Sequence, residues 1–192
     1  MLLTTGRLTV RDLAADDLDA VHRILDVETG MDALSRAERA EWLQWTVLDY
    51  AQRRRIHQPP YGEYAVAARD GGEVVGIVGL VPSMMPFGLL PSYGVPHGYN
   101  LPEVGMFWAT STAHQRRGYA AEAGGALMDF GFAQLKVRRI VATTEHDNTA
   151  SIAVMRRIGM RVERRPGDAP FFLDVVGWTD SPYGEPEWPA SP

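Results

Sequence analysis

The stretch QRRGYAAEA, Gln115–Ala123, decides how the rest of the chain is arranged. The apolar run before it, Val104–Thr110, predicts a β-strand, and the three- and four-residue spacing of apolar residues after it predicts an α-helix. The first N–H groups of a helix that follows such a loop lack partners within the helix and carry partial positive charge, so they bind anions, most often phosphate. Gly118 lets the backbone approach the anion closely, and Arg116 and Arg117 can add charge-assisted hydrogen bonds.

The same residues have an ordinary structural interpretation. A glycine before a helix is common in simple turns, and paired arginines are common on solvated faces. The segment also matches neither the Gly-x-x-x-x-Gly-Lys-Ser/Thr nor the Gly-x-Gly-x-x-Gly pattern of nucleotide-binding loops. From these residues alone, a phosphate site and a plain turn both remain open.

A motif within this stretch resembles that of a known enzyme family. Gln115, Gly118 and Ala120 match the Gln/Arg-x-x-Gly-x-Gly/Ala signature of the GNAT acyl-CoA-dependent N-acetyltransferases. The longer run Gly118–Ala123 is similar to the ribosomal-protein-alanine acetyltransferase branch of that family. The resemblance therefore favours phosphate binding over a plain turn.

Other parts of the chain extend the resemblance. Asn148–Ser151, followed by an apolar helix that ends near Gly159, lies at the spacing of a second family motif, and Thr4–Asp12 resembles the first strand of the same branch. The resemblance covers most of the chain and is weakest at residues 27–58 and 82–101.

The resemblance implies an α+β fold with three layers, α/β/α. Its central sheet would have about seven mostly antiparallel strands, splayed in the middle by a β-bulge and flanked by about four helices. We find no internal repeat or linker, so residues 1–180 are expected to form a single acetyltransferase domain and residues 181–192 an irregular C-terminal tail. Within this fold Ser35 and Glu38 predict a capping box at the start of a helix.

Composition excludes several classes of protein. The 192 residues carry a net charge of -5, which argues against a nucleic-acid-binding protein. The chain has no cysteine, which excludes a disulfide framework, a thiolate metal site and a cysteine nucleophile. We find neither a signal peptide nor an apolar stretch long enough to span a membrane, and expect a cytoplasmic protein. No metal is expected, since His146-Asp147 is only a weak approach to ligand spacing.

The resemblance implies acetyl-CoA as co-substrate and an amine as acceptor. The residues expected to hold the pyrophosphate are those of the loop: Gln115, Arg116, Arg117, Gly118, Tyr119 and Ala120. Backbone groups of Ala109, Thr110 and Ser111 would bind the pantetheine arm and stabilise charge on the thioester oxygen. Asn148 would cap a helix, bind the pantetheine, or do both.

Two residues are expected to carry the acid–base chemistry. Glu103 is the first candidate for the general base, with Glu63 and His97 as alternatives. Relatives often place a tyrosine acid seven residues after the asparagine, where this chain has Met155, which cannot donate a proton. Ser151 is the substitute that the ribosomal branch suggests, although it could instead satisfy backbone groups in the first helical turn.

The acceptor and the assembly are left open by the sequence. The aromatic-rich segment Pro82–Leu101 is interpreted as a lid over the acceptor site or as the contact of a homodimer, with the lid favoured. The acceptor would be a protein N-terminus or a small-molecule amine. The alternatives to an enzyme are a non-catalytic acyl-CoA-binding sensor or scaffold and a purely structural interaction domain.

Overall fold

The computed structural model of this protein describes residues 1–94, 99–165 and 173–184. Its strands are β1 (Leu2–Thr4), β2 (Leu8–Asp12), β3 (Gly62–Ala68), β4 (Val74–Met85), β5 (Leu101–Thr110), β6 (Arg139–Thr144), β7 (Arg161–Arg164) and β8 (Val175–Asp180). Its α-helices are α1 (Leu18–His22), α2 (Arg36–Arg55), α3 (Tyr119–Ala133) and α4 (Thr149–Arg157). Among the described residues, no helix combines the length and the apolar character needed to cross a membrane.

All of these strands form one open sheet in the order β1-β2-β3-β4-β5-β6-β8-β7. Neighbours are antiparallel except β5 and β6, which are parallel. The sheet and its four α-helices confirm the predicted mixed fold. The sheet has one strand more than predicted because Leu2–Thr4 pairs with Thr9–Arg11 as an edge hairpin.

The sheet opens between β5 and β6. These strands share only two register pairs, Val104 with Ile140 and Gly105 with Val141. The second half of β5 therefore has β4 on one side and an opening on the other. This opening is the splay that the resemblance implies.

The splay does not come from a bulge in β5. The pairing of β4 with β5 runs without a shift from Gly76 opposite Thr110 to Met85 opposite Leu101. Among the described strands, the pairing of β3 with β4 shifts register, and it does so between Val66 and Ala67. This irregularity in strand pairing lies between β3 and β4 and not beside the opening.

Capping signals in the sequence correctly predict two helix starts. The Ser35 hydroxyl accepts a hydrogen bond from the Glu38 N–H at 3.3 Å, and the Glu38 carboxylate accepts one from the Ser35 N–H at 2.8 Å, so α2 begins with the predicted capping box. The Asn148 side chain accepts from the Ser151 N–H at 3.0 Å and caps α4. These caps fix where both helices begin.

α3 packs closely on the sheet beside the opening. A Cβ placed on Gly131 would lie 3.0 Å from the Ile140 side chain, and one on Gly124 would lie 3.9 Å from the Met106 sulfur. Glycine at these positions lets the helix approach β5 and β6 closely. The start of α3 is thereby held at the mouth of the opening.

Within Pro82–Leu101, the described residues do not line the cleft, which does not support the interpretation as a lid, and the alternative of a homodimer contact stays a prediction. β4 continues to Met85, and the chain then forms two single 3-10 turns, Phe87–Leu89 and Pro91–Tyr93. Phe87, Leu90 and Tyr93 are buried in a second core cluster. The other buried members of that cluster are Val141, Leu173, Val176 and Trp178. This segment therefore packs on the sheet at the closed end of the splay. Burying its apolar and aromatic side chains there is more favourable in free energy than leaving them in water. Residues 95–98, which include His97, lie outside the described residues.

Candidate functional site

A cleft of about 930 Å³ fills the splay between β5 and β6. Its walls are the end of β5, the loop and first turn of α3, the end of β6, one side of α4 and the turn Thr29–Met31. The predicted site residues that line it are Ala109, Thr110, Gln115, Arg116, Gly118, Tyr119, Ala120, Asn148 and Ser151. The predicted residues outside this lining are Glu103, Ser111 and Arg117.

The loop before α3 points unpaired N–H groups at this cleft. Gly118 precedes the helix with φ of 79°, and the first helical hydrogen bond is donated by the Glu122 N–H to the Gly118 carbonyl at 3.0 Å. The N–H groups of Tyr119, Ala120 and Ala121 therefore precede the helical ladder, and all three residues line the cleft. Together with the helix dipole they make this wall suited to a phosphate.

Arg7 and Glu122 hold the loop from behind. Arg7 donates to the Arg117 carbonyl at 3.0 Å, and its guanidinium lies 4.7 Å from the centre of the Tyr119 ring. The Glu122 carboxylate accepts from the Arg7 Nε at 2.7 Å and from the Thr5 hydroxyl at 2.6 Å. Burial raises the pKa of Glu122, but these hydrogen bonds outweigh it and the pKa is lowered.

The exposed edge of β5 presents a second set of N–H groups. The Ser111 N–H donates to the Val75 carbonyl at 2.9 Å, so Ser111 faces β4. Because backbone groups alternate in direction along an antiparallel pair, the N–H groups of Ala109 and Ser111 are directed at β4. Those of Trp108 and Thr110 are directed at the opening. In support, the Thr110 carbonyl accepts from the Gln115 side chain at 3.3 Å, on the side away from β4.

This geometry corrects the predicted set of backbone donors. Ser111 is fully buried and its N–H is paired with the Val75 carbonyl, so this N–H does not face the cleft. Ala109 lines the cleft, but its N–H faces β4. Trp108, which sequence reasoning missed, lines the cleft with Thr110 and has its N–H on the same side of β5. Strand alternation would have identified it had the pairing partner of β5 been known.

The turn Thr29–Met31 is a wall that the sequence did not predict. The π-helix Arg23–Glu28 continues α1 and ends at Thr29, whose hydroxyl donates to the Ile24 carbonyl at 2.8 Å. Gly30 has φ of 62°, which turns the chain into the cleft. π-helical turns often occur at functional sites, but no residue spacing in this segment indicates one.

α4 brings Asn148 and Ser151 to the opposite wall. The Asn148 side chain accepts from the Ser151 N–H, so it acts as the N-cap. Met155 is fully buried, and its sulfur would lie 2.9 Å from a Cβ on Gly177, so this position faces the core under β8. In the structure, the place where relatives carry a tyrosine acid therefore does not face the cleft.

Glu103 lies apart from the cleft. Its side chain is 6% exposed, and it accepts hydrogen bonds from the Tyr93 hydroxyl and from Arg138, both at 2.9 Å. It belongs to the closed end of the splay, where β5 and β6 are still paired. This position does not support the assignment of Glu103 as general base.

Glu63, on β3, does not line the cleft either. It lies opposite Gly79, which lies opposite Phe107, and the Phe107 ring occupies the space where a Cβ on Gly79 would lie. Burial raises the pKa of Glu63, and the negative charges of Asp49 and Asp32 raise it further, against the opposing effect of Arg53. Glu63 is thus a half-buried carboxyl two strands from the exposed edge of β5.

Comparison with known proteins shows what this fold and cleft belong to. A family model described as an acetyltransferase (GNAT) domain matches residues 7–161. The uncharacterized N-acetyltransferase YnaD of Bacillus subtilis (strain 168) is 41% identical over 56 residues, a stretch that spans 29% of this chain and only 33% of that protein.

Solved structures share the whole fold. The ribosomal-protein alanine acetyltransferase of Vibrio fischeri superposes with a TM-score of 0.70 at 14% identity, over 97% of this chain and 100% of that one. The ribosomal alpha-N-protein acetyltransferase RimL, solved in complex with coenzyme A, gives a TM-score of 0.67 at 17% identity, over 94% of this chain and 98% of that one. With the family model spanning most of its length, this chain belongs to the GNAT family of acetyltransferases.

Proposed function

We propose that this protein is an N-acetyltransferase that carries an acetyl group from acetyl-CoA to a primary amine by direct attack in a ternary complex. One observation carries the proposal: a single cleft joins the free N–H groups at the start of α3 to those of Trp108 and Thr110 on the edge of β5. Membership of the family and the similarity to YnaD support N-acetyltransferase activity.

The two sets of donors suit the two ends of an acyl-CoA. The α3 start, with Arg116 beside it, matches the charge of a pyrophosphate. The edge of β5 can pair with the amide groups of a pantetheine arm as a further strand would. The N–H groups of Trp108 or Thr110 then stabilise the negative charge that develops on the thioester oxygen.

The transfer needs two bond changes and two proton transfers. The neutral amine nitrogen forms a bond to the thioester carbon and loses one proton, the carbon–sulfur bond breaks, and the departing thiolate gains one proton. An α-amine of pKa about 8 is far easier to neutralise than a lysine of about 10.4. We assign the protonation of the thiolate to Ser151, which lines the cleft on α4 and whose hydroxyl receives a proton from solvent water as it gives one to the sulfur.

We assign the removal of the amine proton to Glu63, acting through water, rather than to Glu103. The β3 and β5 strands are about 10 Å apart, two inter-strand spacings, which a glutamate side chain and one water can bridge in large part. The raised pKa of Glu63 suits a base better than a carboxylate held in an ion pair does. His97 stays the alternative prediction for the same role.

The acceptor is a protein N-terminus or a small-molecule amine. The test is a screen of peptides with N-terminal alanine or serine, free amino acids and spermidine, in which release of the CoA thiol is followed. We expect turnover with at least one of these amines, and turnover lower by roughly tenfold or more after Gly118→Val when acetyl-CoA is below saturation. Binding of acetyl-CoA without turnover of any amine would contradict the proposal.

One observation favours a second candidate, an acyl-CoA-binding sensor. The position that carries a tyrosine acid in relatives is Met155, which faces the core. A sensor would bind acetyl-CoA with the same loop but release no thiol in the amine screen. The two candidates are therefore separated by the same experiment.

A further inference from the structure

The carboxylate of Glu28 lies between two walls of the cleft. Its Oε2 accepts the Thr112 N–H at 2.7 Å, and its Oε1 accepts Nη1 of Arg23 at 2.8 Å. Thr112 begins the 3-10 turn that leads from β5 into the phosphate loop. Glu28 is the last residue of the π-helix, directly before the turn Thr29–Met31.

Arg23 and Ser111 complete this set of contacts. The same Arg23 nitrogen donates to the Ser111 hydroxyl at 2.8 Å, and that hydroxyl lies 3.4 Å from the Glu28 Oε1. Ser111 is fully buried and its N–H is bound to the Val75 carbonyl. The end of β5 is therefore fixed by β4 on one side and by the π-helix on the other. The hydrogen bonds from Thr112, Arg23 and Ser111 overcome the effect of burial and lower the pKa of Glu28, so the carboxylate stays charged at neutral pH.

The turn is also fixed at its far end. Asp26 forms a buried ion pair with Arg39 of α2, at 2.7 Å, and accepts the Leu34 N–H at 3.0 Å. The Met31 N–H donates to the Leu25 carbonyl at 2.8 Å. Between these anchors, Thr29, Gly30 and Met31 reach the cleft. Glu28 and Arg23 are the residues of the π-helix whose side chains bind the end of β5, and Glu28 is the one directly before the turn.

We propose that Glu28 is a positioning residue that fixes the turn Thr29–Met31 against the end of β5 and so sets where the acceptor amine meets the thioester. Glu28 does not itself line the cleft. Its role rests on the proposed transfer reaction, since it acts through the two walls that would face the thioester. A displacement of about 1 Å at reacting groups can cost roughly 10²-fold in rate.

The test compares Glu28→Gln with a matched variant, Asp17→Asn. Asp17 is also a buried carboxylate that binds an arginine, at 2.7 Å, and a backbone N–H, that of Ala14 at 2.8 Å, but it lies outside the cleft lining. Both changes remove one negative charge from a similar set of contacts. Thermal unfolding of both proteins measures what each change does to stability.

In kinetics we expect Glu28→Gln to lower kcat by roughly tenfold or more while the Kd for acetyl-CoA stays within about threefold. Asp17→Asn should keep kcat near the wild-type value. Three results would overturn the proposal: an unchanged kcat, a loss of acetyl-CoA affinity with kcat retained at saturation, or an equal loss of kcat in Asp17→Asn.

Hydrogen exchange with bound CoA tests the same role without an acceptor. Glu28→Gln should speed amide exchange in residues 29–34, while CoA still protects residues 115–122 as in the wild type. Equal exchange of residues 29–34 in both proteins would overturn the role of Glu28 alone. Failure of CoA to protect residues 115–122 in the wild type would overturn the proposed function as well.

Discussion

Glu122, in the first turn of α3, binds Arg7 from the turn between β1 and β2, at 2.7 Å from the guanidinium Nε and 2.9 Å from the backbone N–H. The two residues are 115 positions apart in sequence. Because Arg7 also binds the Arg117 carbonyl and covers the Tyr119 ring, this pair ties the N-terminal hairpin to the phosphate loop. The pair therefore links β1 and β2 to a loop that lies more than a hundred residues later in the chain.

Glu122→Gln should therefore loosen the loop and raise the Kd for acetyl-CoA by roughly threefold to tenfold. Since the pKa of Glu122 is lowered from 4.5 in the fold, its contribution to stability is complete above the unfolded-state pKa and is lost as pH falls through the folded one. The variant should thus show a flatter dependence of unfolding free energy on pH below about 4.5. Calorimetry and chemical denaturation measure both effects. Asp19→Asn, which removes an exposed pair with Arg36, is the control, and equal changes there would contradict the prediction.

Gly118→Val should weaken acetyl-CoA binding roughly tenfold or more, about 1.4 kcal/mol. Its φ of 79° disfavours a β-branched residue, so the loop that presents the first helical N–H groups would have to shift, and a Cβ there would lie 3.7 Å from the Arg7 guanidinium that holds this loop. Gly72→Val controls for backbone strain, since Gly72 has φ of 72° in the β3–β4 turn and open space around it. Calorimetry on both folded variants should show the loss only in Gly118→Val. A similar loss of acetyl-CoA affinity in Gly72→Val would mean that backbone strain alone explains the loss in Gly118→Val.

Leu90→Ala should lower the free energy of unfolding by about 2–5 kcal/mol and leave the Kd for acetyl-CoA unchanged. Leu90 is 1% exposed and packs in the cluster at the closed end of the sheet, away from the cleft lining. Chemical denaturation measures the first effect and calorimetry the second. A stable variant with altered acceptor KM would instead restore the interpretation of this segment as a lid.

What the sequence could predict was local. The capping residues Ser35 and Asn148, the loop around Gly118 and the helix after it follow from short-range rules, and the structure contains them. The direction of the Ser111 N–H could not be predicted, because it depends on which strand pairs with β5. Nor could the role of Glu28, because its partner Thr112 lies 84 residues away.

The same limit explains the interpretation of Glu103. Glu103 lies directly before the apolar run of β5, as expected for a candidate base. Its hydrogen bonds to Tyr93 and Arg138 depend on the fold and could not be predicted from that position. The aromatic segment was similarly ambiguous, since burial in a second core and exposure on a lid require the same residue types. In both cases a long-range contact decided the outcome.

Ser151→Ala should lower kcat by roughly 10²-fold or more with little change in the KM for either substrate, if its hydroxyl protonates the thiolate. The backbone N–H of residue 151, which Asn148 accepts, is retained by alanine, so the helix cap should survive. Circular dichroism and thermal unfolding check that it does. Steady-state kinetics with a nearly unchanged kcat would make Ser151 a structural residue of the first turn.

The last prediction separates Glu63 from Glu103. Glu63→Gln should lower kcat. It should also remove, from the plot of kcat against pH, the rise at acid pH that comes from the ionisation of a carboxyl, whereas Glu103→Gln should leave the shape of that plot unchanged. The sign follows from the raised pKa: Glu63 accepts a proton only above its folded pKa, which burial moves upward from 4.5, so the rate rises as pH passes through that value. The ionisation of the amine affects every variant alike, so the difference from the wild type isolates the carboxyl. Glu103→Gln serves as the matched control, since it should cost stability by weakening the contacts with Tyr93 and Arg138. If the rise of kcat at acid pH disappears in Glu103→Gln and persists in Glu63→Gln, the general base is Glu103 and not Glu63.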